Sequence, residues 1–335
     1  MQRAMDRFGR WSSAEICALV ASWLGVNSLA QAVPIDLMDA TPTVVGPTTL
    51  HIGGIATLGS SYWADFEWNE TSNIFQVSAY EEEEPPEAPD GFVLIEPGMF
   101  TMGSPTDEPG RWDHETEHAV TLTRAFYLSE TEVTQAQWLA VMGTNPSNRS
   151  DCDACPVEEV SWNDAVDYCN ALSALEGLEP AYEVIGADVS WNQTANGYRL
   201  PTESEWEYAC RAGSTTAFYN GPITDTNCDD PNLDQIGWYC GNAGQRTHEV
   251  GQKIANAWGL YDMSGNVSEW CWDWYDEYPV GPVTDPVGPA DGARRVHRGG
   301  SYVYPAPYFR SAYRHYAYPD FFNYNYGFRS ARSAP

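Results

Sequence analysis

The feature that most constrains this chain is a tyrosine-rich stretch near its C-terminus, from Arg294 to Arg332. Its aromatic residues follow neither the 3.6-residue period of an amphipathic helix nor the alternation of a half-buried strand. Pro305, Pro307 and Pro319 would also interrupt a regular element. An apolar core would favour Leu, Ile and Val, which are almost absent here, whereas Tyr offers a large amphipathic contact area at low entropic cost. We therefore favour a binding surface on a rigid scaffold over an aromatic core.

The predicted ligand surface lies within residues 302–326, between the frames Arg298-Gly299-Gly300-Ser301 and Gly327-Phe328-Arg329. Its members are Tyr302, Tyr304, Tyr308, Phe309, Tyr313, His315, Tyr316, Tyr318, Phe321, Phe322, Tyr324 and Tyr326. Arg310, Arg314 and Arg329 follow the spacing of the frames, so we expect them to hold the scaffold and not to contact ligand. Acidic side chains of the same chain could pair with them.

The charge of the chain excludes some classes of partner. The 335 residues carry a formal net charge of −30, and Lys253 is the single lysine. Nucleic acid and an acidic membrane surface both attract basic proteins, so neither is an expected partner. Low charge content together with many Trp and Tyr residues predicts a folded, loop-rich protein and not a disordered acidic one.

The N-terminal residues 1–32 have the pattern of a signal peptide. Arg3, Arg7 and Arg10 precede an apolar run at 16–26, and Ala30-Gln31-Ala32 provides a small-residue cleavage site. The run is too short to span a bilayer comfortably, and no later segment is long and apolar enough. We expect a secreted or cell-surface protein without a membrane span.

Seven cysteines follow the predicted signal peptide, an odd number for an oxidising compartment. Cys152 and Cys155 form a CxxC motif, but a zinc site would need a second ligand pair, and Pro156 makes a redox helix implausible. A short structural disulfide is the preferred interpretation. The other plausible pairs are Cys228 with Cys240 and Cys169 with Cys210, which would leave Cys271 free or buried.

The chain divides into a small module and a large domain. Residues 33–80 contain strand-like runs at 50–52, 62–68 and 74–77, which predict a small β-rich module that packs on the main domain or on a partner. Residues 81–90 are acidic and proline-rich, as in a linker. The main domain, 91–335, begins with strand-like runs at 92–95, 99–104, 119–123 and 126–128.

Three helices of the main domain are predicted from their N-caps. Thr134, Ser161 and Thr202 each precede a helical pattern, because a hydroxyl can accept from the free backbone N–H groups of the first turn. By contrast, His114 to His118 match HExxH, a zinc-protease motif that works only on a helix. Pro109-Gly110 precede it and an alternating strand pattern follows, so we predict no metalloprotease site.

A set of motifs occurs in order along the domain. It comprises Gly98-x-Phe100-x-Met102-Gly103-Ser104, Glu132-Val133-Thr134, Pro156-Val157-Glu158-x-Val160-Ser161-Trp162, Arg199-Leu200-Pro201-Thr202-Glu203-x-Glu205-Trp206-Glu207, Gly259-Leu260-Tyr261-Asp262-Met263-x-Gly265-Asn266-Val267-x-Glu269-Trp270, and the two frames above. This set resembles the formylglycine-generating enzyme (sulfatase-modifying factor) family across roughly residues 91–332. The resemblance implies an α+β, C-type-lectin-like fold with little regular secondary structure, preceded here by the β-rich module.

The resemblance also implies bound calcium. In the family, the segment that matches 262–269 wraps a calcium ion. Asp262 and Glu269 would supply carboxylate oxygens, and Gly265 and Val267 would supply backbone carbonyls, which are hard ligands suited to calcium. A second family site, near Asn242 and Ala243, has no clear acidic ligand here.

The family's oxidase chemistry does not carry over. Its enzymes bind copper through two cysteines shortly after the RGGS frame, because soft thiolates hold Cu(I). The matching positions are Tyr304 and Phe309, and no cysteine follows Cys271. A related iron-dependent branch uses a histidine cluster, of which His297 and His315 would be a weak remnant. We therefore expect no copper and no catalytic residues.

The aromatic substitutions have a pattern of their own. In the family, the terminal stretch repeats Asn, whereas here most of those positions hold Tyr, His, Phe or Ala. These residues arise when adenines of an Asn codon are replaced, so the stretch is similar to variable proteins of diversity-generating retroelements. We accordingly expect a secreted, non-catalytic protein that binds a protein or glycan ligand. The alternatives are a copper- or iron-dependent oxidase of the sulfatase-activating type, and a structural subunit that assembles through 33–80.

Overall fold

The computed structural model describes residues 88–335 in full and, before them, the backbone of four strands. The chain divides between Glu87 and Ala88 into two compact units. The predicted signal peptide lies outside the described residues. Within the described part, no helix is long and apolar enough to cross a membrane.

The first unit contains an antiparallel four-stranded sheet. Its strands, in spatial and chain order, are β1 (Thr41–Val44), β2 (Thr49–Ile55), β3 (Ser61–Asn69) and β4 (Ile74–Glu83). The three predicted strands are confirmed. The last strand continues through Glu81–Glu83, so the first residues of the predicted linker belong to the sheet. Assembly through this module stays a prediction.

The second unit combines short strands and helices with long loops. Its strands are β5 (Phe92–Ile95), β6 (Gly98–Met102), β7 (His118–Leu122), β8 (Phe126–Ser129), β9 (Tyr182–Ile185), β10 (Asp188–Trp191), β11 (Tyr198–Arg199), β12 (Ser268–Trp274), β13 (Val283–Thr284), β14 (Arg295–Arg298), β15 (His315–Ala317), β16 (Tyr326–Gly327) and β17 (Ala331–Ser333). Its helices are α1 (Gln135–Met142), α2 (Trp162–Leu175), α3 (Glu203–Arg211) and α4 (Leu233–Ile236), with a 3₁₀ turn at Ala306–Phe309.

Each of the three predicted N-caps is confirmed. Thr134, Ser161 and Thr202 each accept a hydrogen bond from the backbone N–H three residues later, and the side chain at that position accepts from the cap backbone in return. This reciprocal capping box satisfies two otherwise free N–H groups at each helix start. The match between cap chemistry and helix position is why these starts were predictable from sequence.

Two sheets connect the ends of the domain to the tyrosine-rich stretch. In the first, the strand order β11-β17-β8-β5 brings the first and last strands of the unit together. In the second, the order is β15-β14-β12-β16, with β16 parallel to β12 and the other pairs antiparallel. The tyrosine-rich stretch runs through three of the four strands of this second sheet.

A buried arginine anchors β14 to the core. The Arg295 guanidinium lies 3.7 Å from the ring centroid of Trp162 and 3.4 Å from that of Trp274. Burial lowers the pKa of Arg295 to about 9, although Asp273 opposes this effect. Contacts between a desolvated cation and indole faces stabilise by up to about 2 kcal/mol each. These contacts hold β14, the strand that leads into the RGGS frame, against the tryptophans of the core.

Two of the three predicted disulfides form. Cys152 bonds to Cys155, and Cys228 bonds to Cys240. The predicted pairing of Cys169 with Cys210 is wrong, since both are free and buried like Cys271. Cys169 lies in α2 and Cys210 in α3, and the two belong to different apolar clusters. Buried free cysteine behaves as a small apolar side chain, which explains why these positions need no partner.

The HExxH motif lies outside any helix. His114 and Glu115 are in a loop, and His118 is the first residue of β7. Glu115 accepts from Ser104 and from Arg310. The motif therefore has a structural role, as the sequence context indicated.

Candidate functional site

The tyrosine-rich stretch forms two loops on one sheet. Strand β14 ends at Arg298, and β15 returns antiparallel with His297 opposite His315, so residues 299–314 leave and rejoin the same edge. Residues 318–325 then connect β15 to β16. Tyr302 of the first loop and Tyr324 of the second have ring centroids 6.2 Å apart. The two loops therefore approach each other through these two rings.

Buried ion pairs fix the base of the first loop. Arg310 donates to both carboxylate oxygens of Glu115 at 2.6 and 2.7 Å, and to Glu108 at 2.8 Å. The Arg314 guanidinium holds both oxygens of Glu203 in the same way. Removing one partner of a buried pair leaves a charge without compensation, which costs about 3–5 kcal/mol. These arginines hold the scaffold, as predicted from their spacing.

The frames on either side are fixed by the same chemistry. Arg298 donates to Glu203 at 3.0 Å and to Glu207 at 2.6 Å. Arg329 donates to both oxygens of Glu269 at 2.7 and 2.8 Å. Burial tends to raise the pKa of Glu203, but the guanidiniums of Arg314 and Arg298 hold it below its ordinary value. The acidic composition of the chain thus supplies the counterions of its buried arginines.

The two glycines of the RGGS frame satisfy a steric requirement. Gly299 and Gly300 have φ of 88° and 71°, in the left-handed region that side chains rarely adopt. A Cβ on Gly300 would lie 2.5 Å from the carbonyl oxygen of Tyr308. Only glycine allows the loop to turn back on itself at this point.

The structure separates the twelve predicted surface residues by exposure. His315, Tyr318, Phe321, Phe322 and Tyr324 are exposed, with Phe322 at 58% and Tyr318 at 53%. Tyr304, Tyr308 and Tyr316 are partly exposed, and Tyr302, Tyr313 and Tyr326 are buried to more than nine-tenths.

The prediction of an exposed surface is wrong for Tyr302, Tyr313, Tyr326 and Phe309, and Phe309 is the most deeply buried of the four. It is fully buried and packs edge-on against Tyr239 in an apolar cluster with Leu233 and Ile236. Its position in the 3₁₀ turn directs the side chain inward, so it belongs to the core and not to the predicted surface. An aromatic residue in an irregular loop gives no periodic signal for its direction, which is why sequence reasoning included it.

Five of the predicted rings form a connected series, in which Tyr313 contacts His315 with centroids 6.2 Å apart. Tyr304 stacks on Tyr308 with centroids 4.8 Å apart, Tyr308 contacts Tyr313 at 5.0 Å, and His315 stacks on Tyr316 at 5.0 Å. We call this connected set, together with the exposed residues Tyr318, Phe321, Phe322 and Tyr324, the aromatic ribbon. Exposed apolar area that is contiguous, and not scattered, marks interaction sites.

Two histidines lie at the centre of the aromatic ribbon. His297 Nε2 is 3.0 Å from Tyr326 Oη and 3.3 Å from His315 Nδ1. Burial lowers the pKa of His297 well below its ordinary value, with further contributions from His315 and Arg298. Burial likewise lowers the pKa of His315. Both rings are therefore neutral near pH 7 and offer hydrogen bonds without charge.

A polar cleft of about 400 Å³ adjoins the aromatic ribbon. Its lining residues are Asn148, Arg149, Glu158, Cys240, Gln245, Arg246, Thr247, Tyr302, Val303 and Tyr324. Of these residues, only Tyr302 and Tyr324 belong to the ligand surface that the sequence predicts. The other polar residues come from separate loops at 148–158 and 240–247, so no motif or spacing connects them.

The predicted calcium ligands lie in a buried acidic group. The Asp262 carboxylate accepts from the backbone N–H of Gly251 through Oδ2, and its Oδ1 is buried without a hydrogen-bond partner in the described part of the chain. Both oxygens of Glu269 are engaged by Arg329, and one also accepts from Trp206. Burial raises the pKa of Asp262 to about 6.

The acidic group has more negative than positive charge. Glu132 is also buried, and burial together with the neighbouring Asp262 and Glu269 raises its pKa well above the ordinary value. The Arg329 guanidinium faces these three carboxyls, and Lys253 adds a second positive charge near Asp262. Among residues 88–335, however, no group of three or more His, Cys, Asp or Glu side chains is arranged to hold a metal. Near the second family site, the Asn242 side chain bonds to Tyr239 and Gly237.

Comparisons with known proteins agree with this architecture. Residues 77–334 match the sulfatase-modifying factor enzyme 1-like domain. The chain is 36% identical to a chaperone protein, LppX, of Paenibacillus barcinonensis over 64% of this chain and 79% of that protein. It is 32% identical to the formylglycine-generating enzyme of Streptomyces coelicolor over 74% of this chain and 91% of the enzyme. It spans about half or less of some longer curated relatives.

A solved structure shows the same fold. Treponema denticola variable protein 1 superposes with a TM-score of 0.65 at 35% sequence identity, covering 73% of this chain and 95% of that protein. The predicted α+β, C-type-lectin-like fold is therefore confirmed. The motifs, the fold and the extent of the match together show that this chain belongs to the formylglycine-generating enzyme (sulfatase-modifying factor) family.

Proposed function

We propose that this chain is an extracellular, non-catalytic binding protein that presents the aromatic ribbon to a ligand. The observation that carries the proposal is the exposure of four aromatic side chains in the single loop between β15 and β16, those of Tyr318, Phe321, Phe322 and Tyr324, on a scaffold held by buried ion pairs. An exposed apolar patch is unfavourable in water unless it is covered on binding. Rigid aromatic side chains lose little entropy when they are covered, so they are effective anchors of a binding site.

The positions that carry the family's oxidase chemistry support a non-catalytic role. Tyr304 and Phe309 occupy the places of the cysteine pair, and neither side chain can act as a thiolate ligand. The free thiols of the domain do not substitute for them. Burial raises the pKa of Cys169 to about 12 and that of Cys210 to about 11, and it raises that of Cys271 well above the ordinary value of a thiol. A thiol that stays protonated is neither a nucleophile nor a metal ligand.

Calcium is part of the proposal as a structural ion. The buried, unpartnered Oδ1 of Asp262 and the excess of carboxyls over guanidiniums around it fit a divalent cation. Asp262 would hold the ion together with the carbonyls of Gly265 and Val267. Glu269 does not fit as arranged, because Arg329 and Trp206 already occupy its oxygens. When bound, calcium would neutralise the negative charge of the acidic group and stabilise the fold, without contacting the ligand.

Two relatives support binding over catalysis. One is named a chaperone protein, which implies contact with another protein. The other is named a variable protein, and its fold is shared over nearly its full length. A variable surface on a constant scaffold is typical of recognition proteins, and in this chain buried ion pairs hold the scaffold that carries the exposed rings.

The test is a binding screen of the secreted chain against protein and glycan arrays. A triple variant, His315→Ala with Tyr318→Ala and Phe322→Ala, removes exposed parts of the aromatic ribbon. The matched control replaces Ile185 and Leu175, which are exposed at 67% and 71% elsewhere on the domain, with Ala. We expect ligands of the wild type to be lost in the first variant and kept in the second. Equal binding by both variants would exclude the aromatic ribbon as the site.

A further inference from the structure

The polar cleft beside the aromatic ribbon contains an unusual acceptor. Glu158 is 2% exposed, and its Oε1 accepts from the backbone N–H of Arg149 at 3.3 Å. The backbone N–H of Asn148 and the charge of Arg149 also stabilise the carboxylate. Its Oε2 is buried and has no hydrogen-bond partner in the described residues, although it belongs to a residue that lines the cleft. Burial of a polar atom without a partner is unfavourable, so this oxygen is suited to a donor brought by a ligand.

Two guanidiniums border the same cleft. Arg149 and Arg246 are exposed, and neither side chain forms a hydrogen bond or a salt bridge with residues 88–335. This is unlike Arg298, Arg310, Arg314 and Arg329, each of which is buried against carboxylates. The chain as a whole has a net charge of −30, whereas the border of this cleft carries two guanidiniums and is locally positive. They provide fork-shaped donors for a carboxylate.

The walls of the cleft are amphipathic and fixed. Tyr302 and Tyr324 lie against each other at an interplanar angle of 50°, and the disulfide between Cys228 and Cys240 holds one border. Asn148 and Gln245 add exposed amides, which both donate and accept. The volume of about 400 Å³ is within the usual range for small-ligand sites.

We propose that this cleft binds a carboxylate-bearing saccharide unit. Hydroxyl groups of the sugar ring donate to Glu158 Oε2, the carboxylate pairs with Arg149 and Arg246, and the apolar face of the ring packs on Tyr302 and Tyr324. The inference rests on the proposed binding function and names a ligand class for it. Uronic acids and sialic acids share this chemistry.

Charge balance favours this ligand over others. Glu158 and the two guanidiniums sum to one positive charge, which a single carboxylate neutralises. A bare cation would meet two guanidiniums, and an amino acid would leave the positive charge uncompensated because it is itself neutral overall. A neutral sugar would satisfy Glu158 but leave both arginines without a partner.

Calorimetric titration of the full chain with a matched pair of ligands tests the proposal. Methyl glucuronide carries a carboxylate at the position where methyl glucoside carries a hydroxymethyl group, and the two are otherwise identical. Sialyllactose tests the other class of acidic sugar, the sialic acids. We expect the glucuronide to bind at least tenfold more tightly than the glucoside. The Arg149→Ala, Arg246→Ala double variant should lose that preference, and Glu158→Gln should weaken both ligands. Arg124→Ala, a change at an exposed arginine outside the cleft, is the control and should change nothing.

The outcomes distinguish this inference from the proposed function. If neither acidic saccharide binds while array ligands are lost in the aromatic ribbon variant, the saccharide site is excluded and the binding function stands. If the saccharides bind to both cleft variants with the same affinity as to the wild type, the cleft is not their binding site. If the saccharides bind through the cleft and the aromatic ribbon variant keeps every ligand, the saccharide site in the cleft is supported. The aromatic ribbon is then excluded as a ligand site. Binding of sialyllactose alone or glucuronide alone would assign one source of the carboxylate and support the proposal.

Discussion

Arg314 and Glu203 form a bidentate ion pair beneath the aromatic ribbon, with Nε 2.7 Å and Nη2 2.6 Å from the two carboxylate oxygens. The same carboxylate accepts from Arg298 at 3.0 Å. Glu203 thus connects the RGGS frame to the start of β15 from its position in the first turn of α3. One residue of a helix therefore sets the position of two segments that are remote from it in sequence.

We predict that Glu203→Gln lowers the free energy of unfolding by about 3–5 kcal/mol, because it leaves part of two buried guanidinium charges without compensation. Urea-induced unfolding followed by tryptophan fluorescence would measure this change. The control is Asp113→Asn, which removes the fully exposed partner of Arg111 at 3.7 Å. Surface pairs of this kind contribute little, so the control should unfold like the wild type. Similar stability of both variants would show that the buried network is not what holds the loop.

Gly300→Ala should destabilise the domain more than Gly177→Ala does. The two glycines have nearly the same φ, 71° and 72°, so each substitution introduces similar backbone strain of about 1–2 kcal/mol. A Cβ at Gly177 meets nothing within 4 Å, whereas at Gly300 it lies 2.5 Å from the Tyr308 carbonyl oxygen. The difference between their unfolding free energies isolates the steric overlap. Equal losses would mean that the loop at 300–308 yields freely.

Asp262 gives a prediction whose sign depends on calcium. Its pKa is raised by burial from 3.8 to about 6, so without calcium the native state binds more protons than the unfolded state between these values. Stability therefore falls as pH rises from about 4 to 6. In chelator at pH 7.5, Asp262→Asn should stabilise the chain by about 1–3 kcal/mol, and the gain should vanish below pH 4. With calcium the same substitution removes a proposed ligand and should lower the Tm.

Thermal unfolding with chelator and with excess calcium, at pH 4 and 7.5, measures both signs. A stabilising effect of Asp262→Asn in both conditions at pH 7.5 would argue against calcium at this position. Glu269→Gln is the comparison, because its oxygens already bond to Arg329. It should destabilise the chain whether or not calcium is present.

Much of this architecture could be predicted from the sequence because its signals are local. A hydroxyl cap, as at Thr202, acts within four residues, and a CxxC pair closes within three. The family motifs add the long-range order that no local pattern contains. The structural role of Arg310, Arg314 and Arg329 could be predicted, because their spacing follows the frames of the family motifs.

What could not be predicted depends on the direction of single side chains in irregular loops. Phe309 is buried and Phe322 is exposed, yet the two are chemically identical and both lie among tyrosines. The motif that contains Glu158 did not indicate a cleft, because the cleft is formed where loops from separate parts of the chain meet. Cys169 and Cys210 were paired by count, whereas the structure places them in separate clusters.

Chemical labelling checks the cysteine assignment. Cys169, Cys210 and Cys271 are buried thiols whose raised pKa keeps them protonated. We expect iodoacetamide to leave all three unmodified in the native chain and to alkylate them after unfolding without reductant. The peptides of the disulfide pairs should require reduction first. A disulfide-linked peptide containing both Cys169 and Cys210 would contradict the structure.

Natural variation tests the origin of the aromatic ribbon at the level of codons. If adenine-directed mutagenesis produced this surface, sequencing of codons 298–329 across one population should reveal changes at His315, Tyr318, Phe322 and Tyr324. The structure sharpens this expectation, because Phe309 fills a core position where most replacements would leave a cavity costing about 3–5 kcal/mol. Phe309 should therefore stay constant together with the two frames. Variation at exposed positions but not at Phe309 would support selection for a ligand surface on a fixed scaffold. Variation at Phe309 as frequent as at Tyr318 would show that burial does not limit which codons change, and uniform codons throughout would remove the proposed diversification and leave a single, fixed aromatic site.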